Sequence, residues 1–184
     1  MLLLWLSLVT LVCAQIVHVD GGSFSSSYDL GTLCPRQVEW SVCPDDLGNV
    51  KRNPSWRFLS DVPLLEVKAN HDDYNNSGYD RGHMCPAADR SSSMTQMRST
   101  FVISNVAPQK PTLNRGEWYA TEKICRKAAQ LYGSVNVLSM PVFLHRDTTY
   151  IGRHRIAVPH AFIKVAWVPP NDSVIGIWFM WNSE

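Results

Sequence analysis

The stretch that most restricts the fold of this chain opens with Tyr79-Asp80-Arg81-Gly82-His83. An Asp-Arg-Gly-His run says little alone, and the residues downstream of it give it weight. Asn105 lies within Phe101-Val102-Ile103-Ser104-Asn105-Val106-Ala107-Pro108-Gln109, and Leu113-Asn114-Arg115-Gly116-Glu117-Trp118 comes next, with Glu122 and Arg126 beyond it. A proton acceptor, a neutral oxygen donor, a carboxylate and two arginines thus share a window of fewer than fifty residues. Metal-assisted cleavage of a phosphodiester needs that set of groups.

Local patterning supplies the elements around this window. Gln37 to Val42 alternates polar and apolar residues, as a half-buried strand does. Asp45 to Asn49 is a turn. Residues 51–76 read as loop, broken at Pro54 and Pro63 and carrying Lys51, Arg52 and Arg57. Phe101-Val102-Ile103 predicts a strand, and a helix is expected from about Arg115 to Tyr132, with Asn114 at or near its N-cap and Gly133 at its end. Val135 to Leu144 is an apolar strand run interrupted at Pro141, and Arg146 to Gly152 is a polar turn. Ala161 to Val168 and Val174 to Trp181 predict a hairpin. The Gly- and Ser-rich residues 15–30 predict a mobile leader.

A helix starting at Asn114 would bring Trp118 and Glu122 round at spacings of four, with Cys125 and Arg126 on nearly the same side. Taken singly, these residues have plainer readings: a helix cap and an ordinary Glu122–Arg126 pair. His83 is near neutral at physiological pH and can accept a proton from water. Gly82 permits a close approach that a Cβ would hinder. Arg81 can meet phosphate with two donors, and Asp80 reads as a strand-end residue rather than a metal ligand.

The formal charge of +1 argues against a purely electrostatic coat for polyanions, yet a local basic patch suffices for an enzyme. Residues 1–14 are apolar and uncharged, and predict the core of a signal peptide cut after Ala14. A secreted or periplasmic destination is the corresponding expectation. Behind such a signal, Cys34, Cys43, Cys85 and Cys125 suggest two disulfides with three possible pairings. Cys34 and Cys43 could staple a local hairpin. Cys85 and Cys125 should lie together if His83 and Glu122 flank one cation. No Cys-x-x-Cys pair occurs, which argues against a structural zinc cluster.

Tyr79 to Ala88, Ser104 to Gln109 and Leu113 to Trp118 closely resemble the DNA/RNA non-specific endonuclease family. The resemblance runs from about residue 28 to 181 and is dense between 79 and 126. It implies an α+β fold with an antiparallel sheet core and a ββα-metal (His-Me finger) motif, in a single domain over residues 31–184. By position, His83 matches the general base, Asn114 the protein ligand to Mg²⁺ or Mn²⁺, and Glu122 the carboxylate that orients waters around that cation. Asn105 matches a residue that positions His83, Arg81 and Arg126 match arginines near the phosphate, and Arg52 (or Arg57) matches an upstream arginine. The implied activity is hydrolysis of DNA and RNA without sequence preference, leaving 5′ phosphates, with nucleic acid held through its phosphates and no membrane association after signal cleavage. A catalytically weak or inactive nucleic-acid-binding module is the alternative, and a phosphodiesterase of small esters a third.

Overall fold

The computed structural model describes residues 15–61, 66–144, 147–169 and 171–183. The expected signal peptide at residues 1–14 lies outside them. Ten strands are described: β1 Ile16–Asp20, β2 Ser25–Asp29, β3 Cys34–Val42, β4 Asp80–His83, β5 Val106–Gln109, β6 Val135–Val142, β7 Tyr150–Ile151, β8 Ile156–Ala157, β9 Ala161–Val168 and β10 Ser173–Trp181. The helices are α1 Met94–Ser99, α2 Pro111–Arg115 and α3 Glu117–Tyr132.

Six strands form one antiparallel sheet in the order β1-β2-β3-β6-β9-β10. Alternation explains which face is buried. Val135, Val137, Ser139 and Pro141 of β6 point inward, as do Phe162, Lys164 and Ala166 of β9. Helix α3 packs against β3, β6 and β10. Its buried residues Trp118, Thr121, Cys125, Ala128 and Ala129 recur at helical spacing along one stripe.

Beside this layer, β4 and β5 form a two-stranded antiparallel ribbon that pairs Gly82 with Ala107 and His83 with Val106. The chain passes directly from β5 into α2 and α3. Two strands followed by helical chain therefore carry most of the central motif, with Asn114 on α2 and Glu122 and Arg126 on α3. Gly82 is required where it stands. A Cβ there would meet Oε1 of Gln109 at 2.1 Å, and Gln109 is fully buried.

Several expectations are corrected. Residues 15–30 are no mobile leader: they form β1 and β2, and the side chains of Phe24 and Tyr28 are buried in the core. Phe101-Val102-Ile103 is not a strand. Val102 makes one isolated bridge to Leu59, and Ile103–Asn105 is a 3₁₀ turn that leads into β5. The single helix expected from Arg115 is two helices that meet at Gly116, where a Cβ would strike the carbonyl oxygen of Thr112 at 2.4 Å. Asn114 therefore sits in the last turn of α2 and does not cap α3. Pro141 lies within β6 without ending it.

The disulfide candidates are also corrected: Cys34, Cys43, Cys85 and Cys125 are all free. Cys34 begins β3 and Cys43 comes immediately after its end, so nine extended residue steps, about 30 Å at ~3.3 Å each, separate them. A disulfide tolerates roughly 4.4–6.8 Å between Cα atoms. Cys85 and Cys125 are buried, and that burial keeps both thiols protonated. It pushes Cys125 up to about 11 and Cys85 well above the usual range.

Two outcomes test this packing. Alkylation of the denatured, unreduced protein should label Cys34, Cys43, Cys85 and Cys125, and reductant should leave Tm unchanged; a pair protected until reduction would restore a disulfide. Gly82→Ala should destabilise the fold by about 1–3 kcal/mol through overpacking, and Gln109→Ala in the same chain should recover part of the loss in denaturant unfolding.

Candidate active site

His83 ends β4 and its side chain is buried. The ring lies between Phe58, at 4.8 Å between centroids, and Phe101, at 4.7 Å and edge-on. Nε2 is shielded from solvent and has no hydrogen-bond partner within the protein. Burial, with the charge of Arg52 adding to it, pushes the imidazole down to about 3. The ring is therefore neutral and retains an acceptor nitrogen at any physiological pH.

The backbone beneath that ring is held from two directions. Trp118 of α3 donates from Nε1 to the carbonyl oxygen of His83 at 3.1 Å. Asn105 is fully buried and grips the next residues. Its Oδ1 accepts from the Cys85 amide at 2.8 Å, its Nδ2 donates to the carbonyls of Cys85 and Thr100, each at 2.9 Å, and its own carbonyl accepts from the Met84 amide at 2.9 Å. Asn105 thus acts on His83 through the chain rather than through the imidazole.

Asn114 donates from Nδ2 to Oδ2 of Asp80 at 2.9 Å. A carboxylate only accepts, so this bond fixes which end of the amide faces Asp80. The amide oxygen is then the end left for a hard cation, which prefers neutral or anionic oxygen. Among the described residues, no group of three or more His, Cys, Asp and Glu side chains is set to hold a metal. An oxygen-poor protein site of this kind fits a divalent cation that keeps much of its water, as Mg²⁺ does. Asp80, read from sequence as a strand-end residue, is such a residue and also orients the amide.

Glu122 lies two turns along the chain from this point, on a wall that the sheet makes electrostatically crowded. Arg126 bridges it at 3.7 Å and Asp89 at 2.8 Å. Asp89 is fully buried and also accepts from Trp40 Nε1 at 2.9 Å. Lys164 of β9 is fully buried, its Nζ 3.7 Å from the centre of the Trp118 ring and without a hydrogen-bond acceptor. Burial raises Glu122 to about 7 against the opposing pull of Lys164, and burial likewise lowers Lys164. Arg126 is thereby committed to two carboxylates.

The remaining arginines face the opening. Arg81 donates from Nε and Nη2 to the His71 carbonyl at 3.0 and 2.8 Å, and from Nη2 to Asn75 Oδ1 at 2.5 Å. Arg52 lies 4.9 Å over the Phe101 ring, and Arg57 pairs with Asp72 at 2.6 Å. A cavity of about 420 Å³ is lined by Arg52, Arg81, His83, Asn114 and Glu122 together. A groove shares Arg52, Arg81 and Asn114 with it and extends past Arg57 and Arg115. The sequence candidates Asn105 and Arg126 support the cavity from behind. Sequence reasoning missed Asp89, Lys164 and the anchoring role of Trp118. For Lys164 a signal existed: it is the lone charge in phase with Phe162 and Ala166 on an otherwise apolar strand.

The signature of a family described as DNA/RNA non-specific endonuclease matches residues 17–182. Over 153 residues the chain is 40% identical to "Endonuclease G, mitochondrial" of Bos taurus, a match covering 78% of this chain and 51% of that protein. It is 33% identical over 157 residues to "Nuclease EXOG, mitochondrial" of Danio rerio, covering 80% and 46%. The crystal structure of the EndoG/EndoGI complex aligns with a TM-score of 0.79 at 25% identity, over 90% of this chain and 74% of that one. The chain spans about half the length of the curated relatives it matches. Those relatives are mitochondrial by name, as is "Mitochondrial nuclease" of Saccharomyces cerevisiae. This overturns the expectation of a secreted or periplasmic protein, and the four free thiols remove the disulfides that had accompanied it. No helix among the described residues is long and apolar enough to cross a membrane.

The raised Glu122 gives a pH test. A carboxyl whose folded value is raised favours folding below its unfolded value, about 4.5, and that contribution is lost as pH rises through about 7. In chelator, Glu122→Gln should therefore match the parent's Tm near pH 4.5 and exceed it increasingly towards pH 8. A difference independent of pH would show that Glu122 ionises freely in the fold.

Proposed function

The chain belongs to the DNA/RNA non-specific endonuclease family, and from that premise we propose that it hydrolyses internal phosphodiester bonds of DNA and RNA with a divalent cation, leaving 5′ phosphates. One observation carries the reading: a buried, neutral histidine whose Nε2 has no partner shares a cavity with an oriented amide, a carboxylate and two arginines. A purely binding module has no need of such a base.

His83, neutral and lining the cavity, takes the proton from the attacking water on its imidazole. The aromatic walls of Phe58 and Phe101 keep the ring from solvent and in one orientation. Arg52 and Arg81 offset the charge that grows on the phosphate oxygens. The Asn114 amide oxygen would hold the cation, with Glu122 orienting its waters. When bound there, Mg²⁺ or Mn²⁺ supplies Lewis-acid polarisation of the phosphate and stabilises the leaving 3′ oxygen. Recognition through phosphate rather than base edges gives little sequence preference. We place the chain in the mitochondrial compartment of the relatives it matches.

Plasmid DNA and RNA should both be cut in Mg²⁺ or Mn²⁺, and neither in chelator. His83→Ala should lose cleavage by about two or more orders of magnitude, the range for a general base, while binding DNA in gel shift as the parent does. Near-parent turnover in that variant would move the base elsewhere. Binding without cutting by the parent would favour the module reading.

A further inference from the structure

We propose that Arg115 is a positioning residue for the cation-binding amide of Asn114 and acts through Asp80. This rests on the reading that Asn114 holds the cation. Asn114 and Arg115 are consecutive in the last turn of α2, so their side chains leave the helix about 100° apart. Both nevertheless converge on one carboxylate. Asn114 Nδ2 reaches Asp80 Oδ2 at 2.9 Å, Arg115 Nε reaches the same oxygen at 2.9 Å, and Arg115 Nη2 reaches Oδ1 at 2.7 Å. The arginine fork takes both oxygens and sets the plane of the carboxylate. Held by the fork on both oxygens, the Asp80 carboxylate can only accept from Asn114.

The consequence for Asn114 is a choice between two ends of an amide. With Asp80 fixed and charged, the nitrogen must face it and the oxygen faces away. If Asp80 swings aside, nothing distinguishes the two amide orientations, and the flipped one offers a cation hydrogens instead of an oxygen. Asp80 has somewhere to swing, because Arg52 and Arg81 line the same groove. Arg115 is itself largely exposed, 71% for its side chain against 20% for Asp80. An ion pair so open adds little to fold stability. Its effect should therefore appear in metal affinity with the melting curve almost untouched. That separation is what a merely structural contact would not give.

Arg115 also lines the arginine groove with Arg52, Arg57 and Arg81. A direct phosphate contact is thus the competing role, and it predicts different measurements. Mn²⁺ binding to the full chain, without nucleic acid, can be followed by electron paramagnetic resonance of the free ion. Arg115→Ala should weaken Mn²⁺ binding about tenfold, the lower end of what outer partners of metal ligands contribute, with Tm unchanged. Arg115→Lys keeps the charge but not the fork, and should recover only part of the loss. Asp80→Asn and the double variant with Arg115→Ala should weaken binding to the same extent, because one acts through the other. Parent-like Mn²⁺ affinity in Arg115→Ala, with the loss confined to KM and its salt dependence, would make Arg115 a phosphate contact and overturn the proposal. Additive losses in the double variant would overturn it as well. Unaltered Mn²⁺ affinity in Asn114→Ala would instead defeat the reading of the cation site itself.

Discussion

The bond from the Trp118 indole to the carbonyl of His83 fixes the relation on which the site depends. It ties the last residue of β4 to the first turn of α3, and α3 carries Glu122 and Arg126 one and two turns further on. Trp118 is fully buried, edge-on to Phe162 at 5.4 Å and capped by the Lys164 ammonium. The indole cannot shift without disturbing the sheet. His83 and Glu122 are therefore positioned against one another by the core.

That rigidity comes with buried charge. Asp89, Glu122, Arg126 and Lys164 lie together between helix and sheet, a two-plus-two arrangement in which neither sign is in excess. Breaking such a group by removing one member is destabilising because it strands the others in low dielectric. Lys164 has no hydrogen-bond acceptor, and Glu122 titrates near 7, so satisfaction is incomplete even with all four present. The same incompleteness recurs at His83, whose Nε2 is unpartnered. Other buried atoms share that condition away from the cavity, among them the Tyr28 hydroxyl, the Gln109 amide and the Ser139 hydroxyl, while His83 and Glu122 line it.

Much of this was legible in the sequence for physical reasons. The hairpin of β9 and β10 and the strand β3 announce themselves by alternation and turn residues, and the body of α3 by composition and its closing Gly133. That His83, Asn114, Glu122, Arg81 and Arg52 (or Arg57) belong to one site was what the family resemblance implied, and the first five line one cavity. What failed depended on contacts distant in sequence. Residues 15–30 look mobile from their glycines and serines, yet pairing with β3 recruits them into the sheet. The division of the helix at Gly116 is local instead: its backbone is non-helical there, at φ −105° and ψ −107°, and a Cβ would strike the Thr112 carbonyl. The disulfides were inferred from a compartment, from the short spacing of Cys34 and Cys43, and from the expected closeness of His83 to Glu122; the extended run of β3 separates Cys34 from Cys43, and Cys85 and Cys125 are free.

The near-neutral charge of the chain also acquires a structural meaning. Several arginines are paired with acids: Arg57 with Asp72, Arg90 with Asp46, Arg115 with Asp80, Arg126 with Asp89. Arg81 and Arg52 are held differently. Arg81 donates to a carbonyl and an amide oxygen, and Arg52 rests on the face of Phe101. Neutral partners fix a guanidinium in place without cancelling its charge. Those two residues line the cavity with His83 and so bring positive charge to it. A chain with a formal charge of +1 can in this way present a local positive field at one cavity.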